Sequence, residues 1–219
     1  MNVISLVSCK AGTGKTTLTT ELAAYGCSHG RRCLVIDADP DGGFASSNGR
    51  RAAGALPRAS ISPHLDRQIE VAELLGYDWL LIDTAPTLTV TEEEAIRVAG
   101  VVLIPARPGL ADLLDVSRTV DLVHGNGKRY AVVLNGVPVG CDGADAVAVV
   151  ESRAWLERNG IPVWAGQISE RPGYVLAEGQ PDTRSLAALE IADLWSMIDR
   201  SVAAMHAVTA DASGEKRAA

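Results

Sequence analysis

Aromatic side chains are scarce in this 219-residue chain, with one Phe, four Trp and four Tyr. Proteins that read bases or sugars by stacking need rows of such rings, so that class of function is set aside. Long apolar runs are missing too. No stretch approaches the roughly 18 consecutive apolar residues of a membrane-spanning helix, which argues against an integral membrane protein of the helical kind. The four cysteines (Cys9, Cys27, Cys33 and Cys141) show no Cys-x-x-Cys spacing and no nearby histidine pair. They read as reduced thiols of a cytoplasmic chain rather than as a metal site or disulfide framework. Excess positive charge is lacking as well: 20 basic against 27 acidic residues give a net charge of −7. Such a chain needs a local basic patch to hold nucleic acid, because affinity rises with the number of phosphates neutralised. Leu6-Val7-Ser8-Cys9 resembles a lipoprotein processing box. No basic residue precedes it and the apolar run Val3–Val7 is short, so an export signal is rejected.

What is present points to a folded domain. A hydrophobic content of 47% with 21% charged residues excludes disorder as the main state, and the length suits one domain. Apolar runs of strand length stand at Val3–Val7, Cys33–Ile36, Trp79–Ile82, Val101–Ile104, Tyr130–Leu134 and Val163–Ala165. Most are continuous rather than alternating, as in strands covered on both faces. Between them lie segments of helical spacing: Leu18–His29, His64–Leu75, Thr91–Ala99, Leu113–His124 and Ala144–Asn159. Thr91 with Glu94 reads as a capping box, and Gly30, Gly76 and Gly160 fall where helices should stop. Alternation of strand and helix predicts an α/β fold, a parallel β-sheet flanked by helices on both faces. Leu186 to Met205 predicts a long final helix packed on the sheet. The chain thus reads as one domain over 1–207 with a disordered tail over 208–219. The segment Asp41–Pro63, rich in Gly, Ser, Ala and Arg, reads as a mobile loop.

Only four lysines stand among the 20 basic residues, and two of them, Lys10 and Lys15, share one loop. That loop is Lys10-Ala11-Gly12-Thr13-Gly14-Lys15-Thr16-Thr17, after a strand and opening a helix. The full pattern Gly-x-x-x-x-Gly-Lys-Ser/Thr is not met, yet the core Gly-x-Gly-Lys-Thr-Thr keeps the essentials. Glycines let backbone N–H groups curl around phosphate oxygens, Lys15 supplies a point charge, and the helix N-terminus adds its dipole. Thr16 would offer its hydroxyl to Mg²⁺. Residues 11–17 are therefore the expected nucleotide cradle.

The second lysine, five residues before Lys15, makes the loop resemble that of the deviant Walker A ATPases, the ParA/MinD family, which reads Lys-Gly-Gly-x-Gly-Lys-Thr; Ala11 replaces its second residue. Two further stretches are similar to the family: Asp37-Ala38-Asp39-Pro40 after the second strand, and Leu80-Leu81-Ile82-Asp83-Thr84-Ala85-Pro86, which looks like its Walker B strand. Physically, a carboxylate at the end of a buried strand facing a phosphate loop is placed to hold Mg²⁺. The resemblance implies a P-loop NTPase three-layer sandwich that uses ATP and Mg²⁺. It implies a metal site of Thr16, Asp37 and Asp83, and Asp39 orienting the attacking water. It also implies Lys10 as a catalytic lysine that crosses the interface of an ATP-sandwiched dimer to the partner's phosphates. Asn135 stands like the family asparagine that reads adenine, although Asn-Gly is also a common tight turn. Ile168-Ser169-Glu170-Arg171 with Tyr174-Val175 resembles a late segment at the nucleotide edge. Asp41 stands where the family has Gln.

Size and motif order look most like the short ParF-type ParA proteins. The implied function is a cytoplasmic partition ATPase, nucleoid-associated when it holds ATP. Its implied partners are a second copy of itself, nonspecific DNA, and a centromere-binding ParB-like or small partition protein. Arg184 and Arg200 are candidates for the DNA surface. Two alternatives share the loop. One is a MinD-like membrane-positioning switch, which the Ala-, Ser-, Gly- and charge-rich residues from Val208 disfavour. The other is a P-loop ligase of the dethiobiotin or cobyrinate type.

Overall fold

The computed structural model describes residues 1–39, 58–61, 64–87, 89–138, 143–170 and 186–215. Among these, seven strands, β1 (Asn2–Leu6), β2 (Cys33–Asp37), β3 (Arg58–Ile61), β4 (Trp79–Asp83), β5 (Val101–Ala106), β6 (Arg129–Val137) and β7 (Ile168–Ser169), form one sheet in the order β3-β2-β4-β1-β5-β6-β7. All pairings are parallel. Among the described residues six helices join or follow them: α1 (Lys15–Ser28), α2 (Leu65–Leu74), α3 (Val90–Val98), α4 (Leu110–Gly125), α5 (Gly143–Arg158) and α6 (Leu186–Glu215).

Strand residues of alternating position feed opposite layers, because successive side chains leave a strand on opposite faces. Ile4, Leu6, Val35, Leu81 and Leu103 meet Leu18 and Leu22 of α1 and Ile191, Leu194, Trp195 and Ile198 of α6. Their neighbours Val102, Ile104, Val132 and Leu134 meet Ile96, Leu113, Val116 and Leu156 on the other side. There Leu34, Ile36, Leu80 and Ile82 pack with Leu65 and Ala72 of α2. This is the expected three-layer sandwich, and it explains the unbroken apolar runs: β2, β4 and β5 are buried at every residue. Helix α1 closes tightly on the sheet at Gly26, where a Cβ would stand 2.6 Å from the Cys33 sulfur and 2.7 Å from the Trp195 ring. Gly30, Gly76 and Gly160 all have positive φ (75°, 76° and 65°) and end α1, α2 and α5 as the sequence predicts.

Four expectations are corrected. The segment read wholly as a loop contains β3, a strand of four residues that pairs, among the described residues, with β2 alone. Its Arg-Ala-Ser-Ile sequence has too little apolar character to announce a strand. Val163–Ala165 is not a strand. Val163 makes a single bridge to Val132, and the chain bends at Gly166, whose Cβ position is filled by the Trp164 ring at 2.4 Å. Pairing with β6 resumes only at Ile168. The capping box lies two residues earlier than Thr91 and Glu94: Thr89 is the N-cap, and its N–H donates to the Glu92 carboxylate at 2.8 Å. Both pairs satisfy the pattern, but Glu92 is 1% exposed whereas Glu94 faces Arg97 at the surface. Finally, α6 continues past 207 to Glu215. Its Ala-rich sequence holds no proline, and its first glycine is Gly214.

The strand ends place the site. Asp37 and Asp83 are direct partners at the carboxyl edges of β2 and β4, and Leu6, where β1 gives way to the phosphate loop, pairs with Asp83. Open α/β sheets bind ligands in the crevice outside such edges.

Candidate functional site

After β1 the chain turns through Gly12 (φ 73°) and Gly14 (φ 93°), and Gly14 is the N-cap of α1 with no side-chain cap. Both φ values lie where side chains are strained, and a Cβ at Gly14 would stand 2.1 Å from the Asn135 amide nitrogen. The uncapped first-turn N–H groups of α1 are the anion-binding element of such a loop. Lys15 is 6% exposed, and its ammonium donates to the carbonyls of Ser8 (3.2 Å) and Lys10 (3.3 Å). Burial pulls its pKa down, while Asp83 and Asp39 pull it back up. The lysine is thus folded onto its own loop, held by carbonyls that a phosphate oxygen would outcompete.

A cavity of about 400 Å³ opens beside the loop. Ala11, Gly12, Gly14, Lys15, Thr16 and Thr17 line it from one side, and Asp39, Thr84 and Asn135 from the other. The structure therefore gathers most of the predicted cradle around one space. Thr13 is buried (2% exposed) and Lys10 points elsewhere; neither lines the cavity.

Asp37 and Asp83 are both fully buried. Neither carboxylate oxygen of Asp83 has a hydrogen-bond partner among the described residues. Burial pushes its pKa up to about 7; the Thr16 hydroxyl counters this, and the like charge of Asp37 adds to it. An orphaned carboxylate beside a second one and a hydroxyl is an environment that a divalent cation completes, so the residues present fit Mg²⁺. Among the described residues no group of three or more His, Cys, Asp or Glu could hold a metal alone. Mg²⁺ keeps several waters and relies on one or two carboxylates plus substrate phosphates, so two carboxylates and a hydroxyl are donors enough for it. A stability prediction follows with a definite sign. A carboxyl whose folded pKa lies above its unfolded value of 3.8 weakens the fold as pH rises through that window, in full above about 7. Asp83→Asn is therefore expected to raise the melting temperature of the nucleotide-free protein by a few degrees at pH 8, about 1–3 kcal/mol. The gain should shrink at pH 5, and Mg²⁺ should no longer strengthen nucleotide binding. Calorimetric melts at the two pH values, with and without Mg²⁺, check this.

Asp39 follows β2, and its N–H donates to Asp37 Oδ1 at 3.2 Å. Asn135, near the end of β6, donates from Nδ2 to the Thr13 carbonyl at 2.6 Å and so braces the phosphate loop. Arg107, just beyond β5, donates from Nε to the Gly12 carbonyl at 3.2 Å and reaches Glu170 at 3.6 Å, its guanidinium lying over Gly136 (φ 67°). The sequence reading missed Arg107, although its place directly after a buried strand end was a usable signal. It also missed Asp112, in the first turn of α4, whose carboxylate holds the Lys10 ammonium at 2.9 Å. Cys9 is bound to α4 as well, its thiol donating to the Asp115 carbonyl at 3.1 Å. Cys9, Cys27 and Cys33 are free thiols. Arg200 is exposed on α6. Asp41, Cys141, Arg171, Tyr174, Val175 and Arg184 lie outside the described residues.

Residues 4–181 match the model of the CobQ/CobB/MinD/ParA nucleotide binding domain. Maintenance of carboxysome distribution protein A of Gloeobacter kilaueensis is 30% identical over 166 residues, 74% of either chain. The chromosome-partitioning ATPase Soj of Thermus thermophilus is 30% identical over 149 residues, covering 51% of this chain and 59% of that one. Among solved structures, the fold matches cobyrinic acid a,c-diamide synthase of Mycobacterium smegmatis, which holds an ATP analog and magnesium, with a TM-score of 0.63 over 80% of this chain and 89% of that one at 17% identity. ATP and Mg²⁺ fit the family, and they fit the cradle and the orphaned carboxylate found here. The chain belongs to the CobQ/CobB/MinD/ParA family, and within it to the ParA/MinD-type P-loop ATPases.

Proposed function

We propose that this chain is a partition ATPase of the ParA kind, which binds ATP, pairs with a second copy, binds DNA without sequence preference and hydrolyses ATP to move plasmid or chromosomal cargo. The observation that carries the reading is the position of Lys10. Its ammonium lies at the mouth of the loop, outside the cavity that its own chain offers to nucleotide. A cation in that place serves phosphate held by another copy.

The chain's groups divide the work. Lys15 and the first-turn N–H groups of α1 take the β- and γ-phosphates, which releases the Lys15 ammonium from the Ser8 and Lys10 carbonyls. Thr16, Asp37 and Asp83 would hold Mg²⁺, which when bound neutralises charge on the phosphate oxygens. Asp39, at the edge of the same cavity, orients the attacking water. Lys10 of the second copy adds positive charge where the transition state builds negative charge. Loss of the γ-phosphate removes those contacts, and the pair separates. Centromere-binding protein of the ParB-like or small partition class would set the rate, and the ATP form would sit on the nucleoid.

Relatedness to both Soj and the carboxysome distribution protein supports an ATP-driven positioning role and favours one second reading, cargo other than a replicon. Among the described residues no helix is long and apolar enough to cross a membrane. Gel filtration with ATP, with ADP and without nucleotide, followed by a mobility-shift assay on the ATP form, tests the proposal. A dimer with ATP alone that shifts unrelated DNA sequences, less so as salt rises, supports it. A monomer throughout, or an ATP dimer that leaves DNA unshifted, contradicts it.

A further inference from the structure

Asp112 does not line the nucleotide cavity, yet it holds the lysine on which the proposed pairing depends. The two charged atoms lie 2.9 Å apart, with Lys10 35% and Asp112 14% exposed in their side chains. The bond joins the phosphate loop to the first turn of α4, 102 residues away in sequence. Neighbouring contacts point the same way: the Cys9 thiol donates to the Asp115 carbonyl, and the Cys9 N–H donates to the Thr119 hydroxyl. The entrance of the loop is thus strapped to α4. Asp112 is unevenly satisfied, since Oδ2 takes Lys10 whereas Oδ1 is buried without a partner among the described residues.

We propose that Asp112 is a positioning residue for Lys10, an internal counter-ion that stores the ammonium against α4 until phosphate from a second copy takes it. This rests on the reading that Lys10 acts across a pair of copies. The carboxylate confers two properties. It keeps the side chain off the cavity of its own chain, so a single copy binds ATP without using Lys10. It also opposes pairing, because each copy must give up a charge-assisted bond before its lysine can cross. A partly exposed ion pair is weak alone, but two open for every dimer and their effects multiply. The strength of the cis bond thereby sets the ATP level at which dimers appear.

The experiment compares wild type, Asp112→Asn, Asp112→Glu, Lys10→Gln and the double variant Lys10→Gln with Asp112→Asn. Light scattering at fixed protein concentration reads the ATP concentration for half-maximal dimerisation, and a fluorescent ATP analogue reads binding to dilute, monomeric protein. Asp112→Asn, of the same shape without the charge, should lower the half-maximal ATP concentration about three- to tenfold and leave monomer binding unchanged. Asp112→Glu should return it to the wild-type value. The double variant should behave as Lys10→Gln alone. A role limited to stabilising the N-terminus of α4 predicts the opposite sign, since losing the negative charge there weakens the helix and with it the dimer. Half-maximal dimerisation at the wild-type concentration or above it in Asp112→Asn overturns the proposal. If wild type itself binds ATP but never dimerises, the pairing reading fails first and the counter-ion role falls with it.

Discussion

Lys15→Ala is expected to abolish measurable nucleotide binding in titration calorimetry, a loss of at least about a hundredfold. The side chain is 6% exposed, and its ammonium already folds back onto the Ser8 and Lys10 carbonyls at the loop's entrance. Removing it deletes the point charge that meets the phosphates. It also leaves two carbonyls without a donor, so the loop loses its shape together with its charge. Fold stability should move far less. Burial already disfavours the charged form of Lys15, so the fold gives up a strained cation rather than a strong contact. A variant that melts near the wild-type temperature but binds no ATP fits the cradle assignment. Wild-type affinity would remove Lys15 from it.

Asp39→Ala should separate pairing from hydrolysis. The backbone N–H of Asp39 donates to Asp37 Oδ1, a bond that truncating the side chain leaves in place, and strand pairing holds Asp37 beside Asp83. ATP-driven dimers should form as in wild type. Steady-state phosphate release should fall about a hundredfold or more, the usual cost of losing a group that orients the attacking water. Unchanged turnover would take that role from Asp39, and loss of dimers would make it a structural residue of the loop.

Much of this was legible before any coordinates. The cradle could be read because glycine, lysine and threonine at fixed spacing after an apolar run answer one physical demand, a backbone that wraps an anion. Asp83 could be read because it ends a wholly apolar strand, whereas Asp37 was legible only through the resemblance of Asp37-Ala38-Asp39-Pro40 to the family's motif. What escaped notice depends on contacts distant in sequence. Arg107 and Asp112 act on the loop from 95 and 102 residues away, and nothing local to them announces a partner. Strand β3 escaped because an edge strand stabilised by pairing on one side needs no apolar alternation. The shifted capping box shows the reverse case: two overlapping Thr-x-x-Glu patterns were equal on paper, and only burial of Glu92 decided between them.

In the proposed pair, Lys10 leaves Asp112 to serve phosphate in a second copy. A crystal structure of Asp39→Ala grown with ATP and Mg²⁺ tests it most directly. The expected structure is a two-fold pair with each Lys10 ammonium within hydrogen-bond distance of a phosphate oxygen bound to the other copy and no longer on Asp112. An ATP-loaded single copy with Lys10 still held by Asp112 would contradict it.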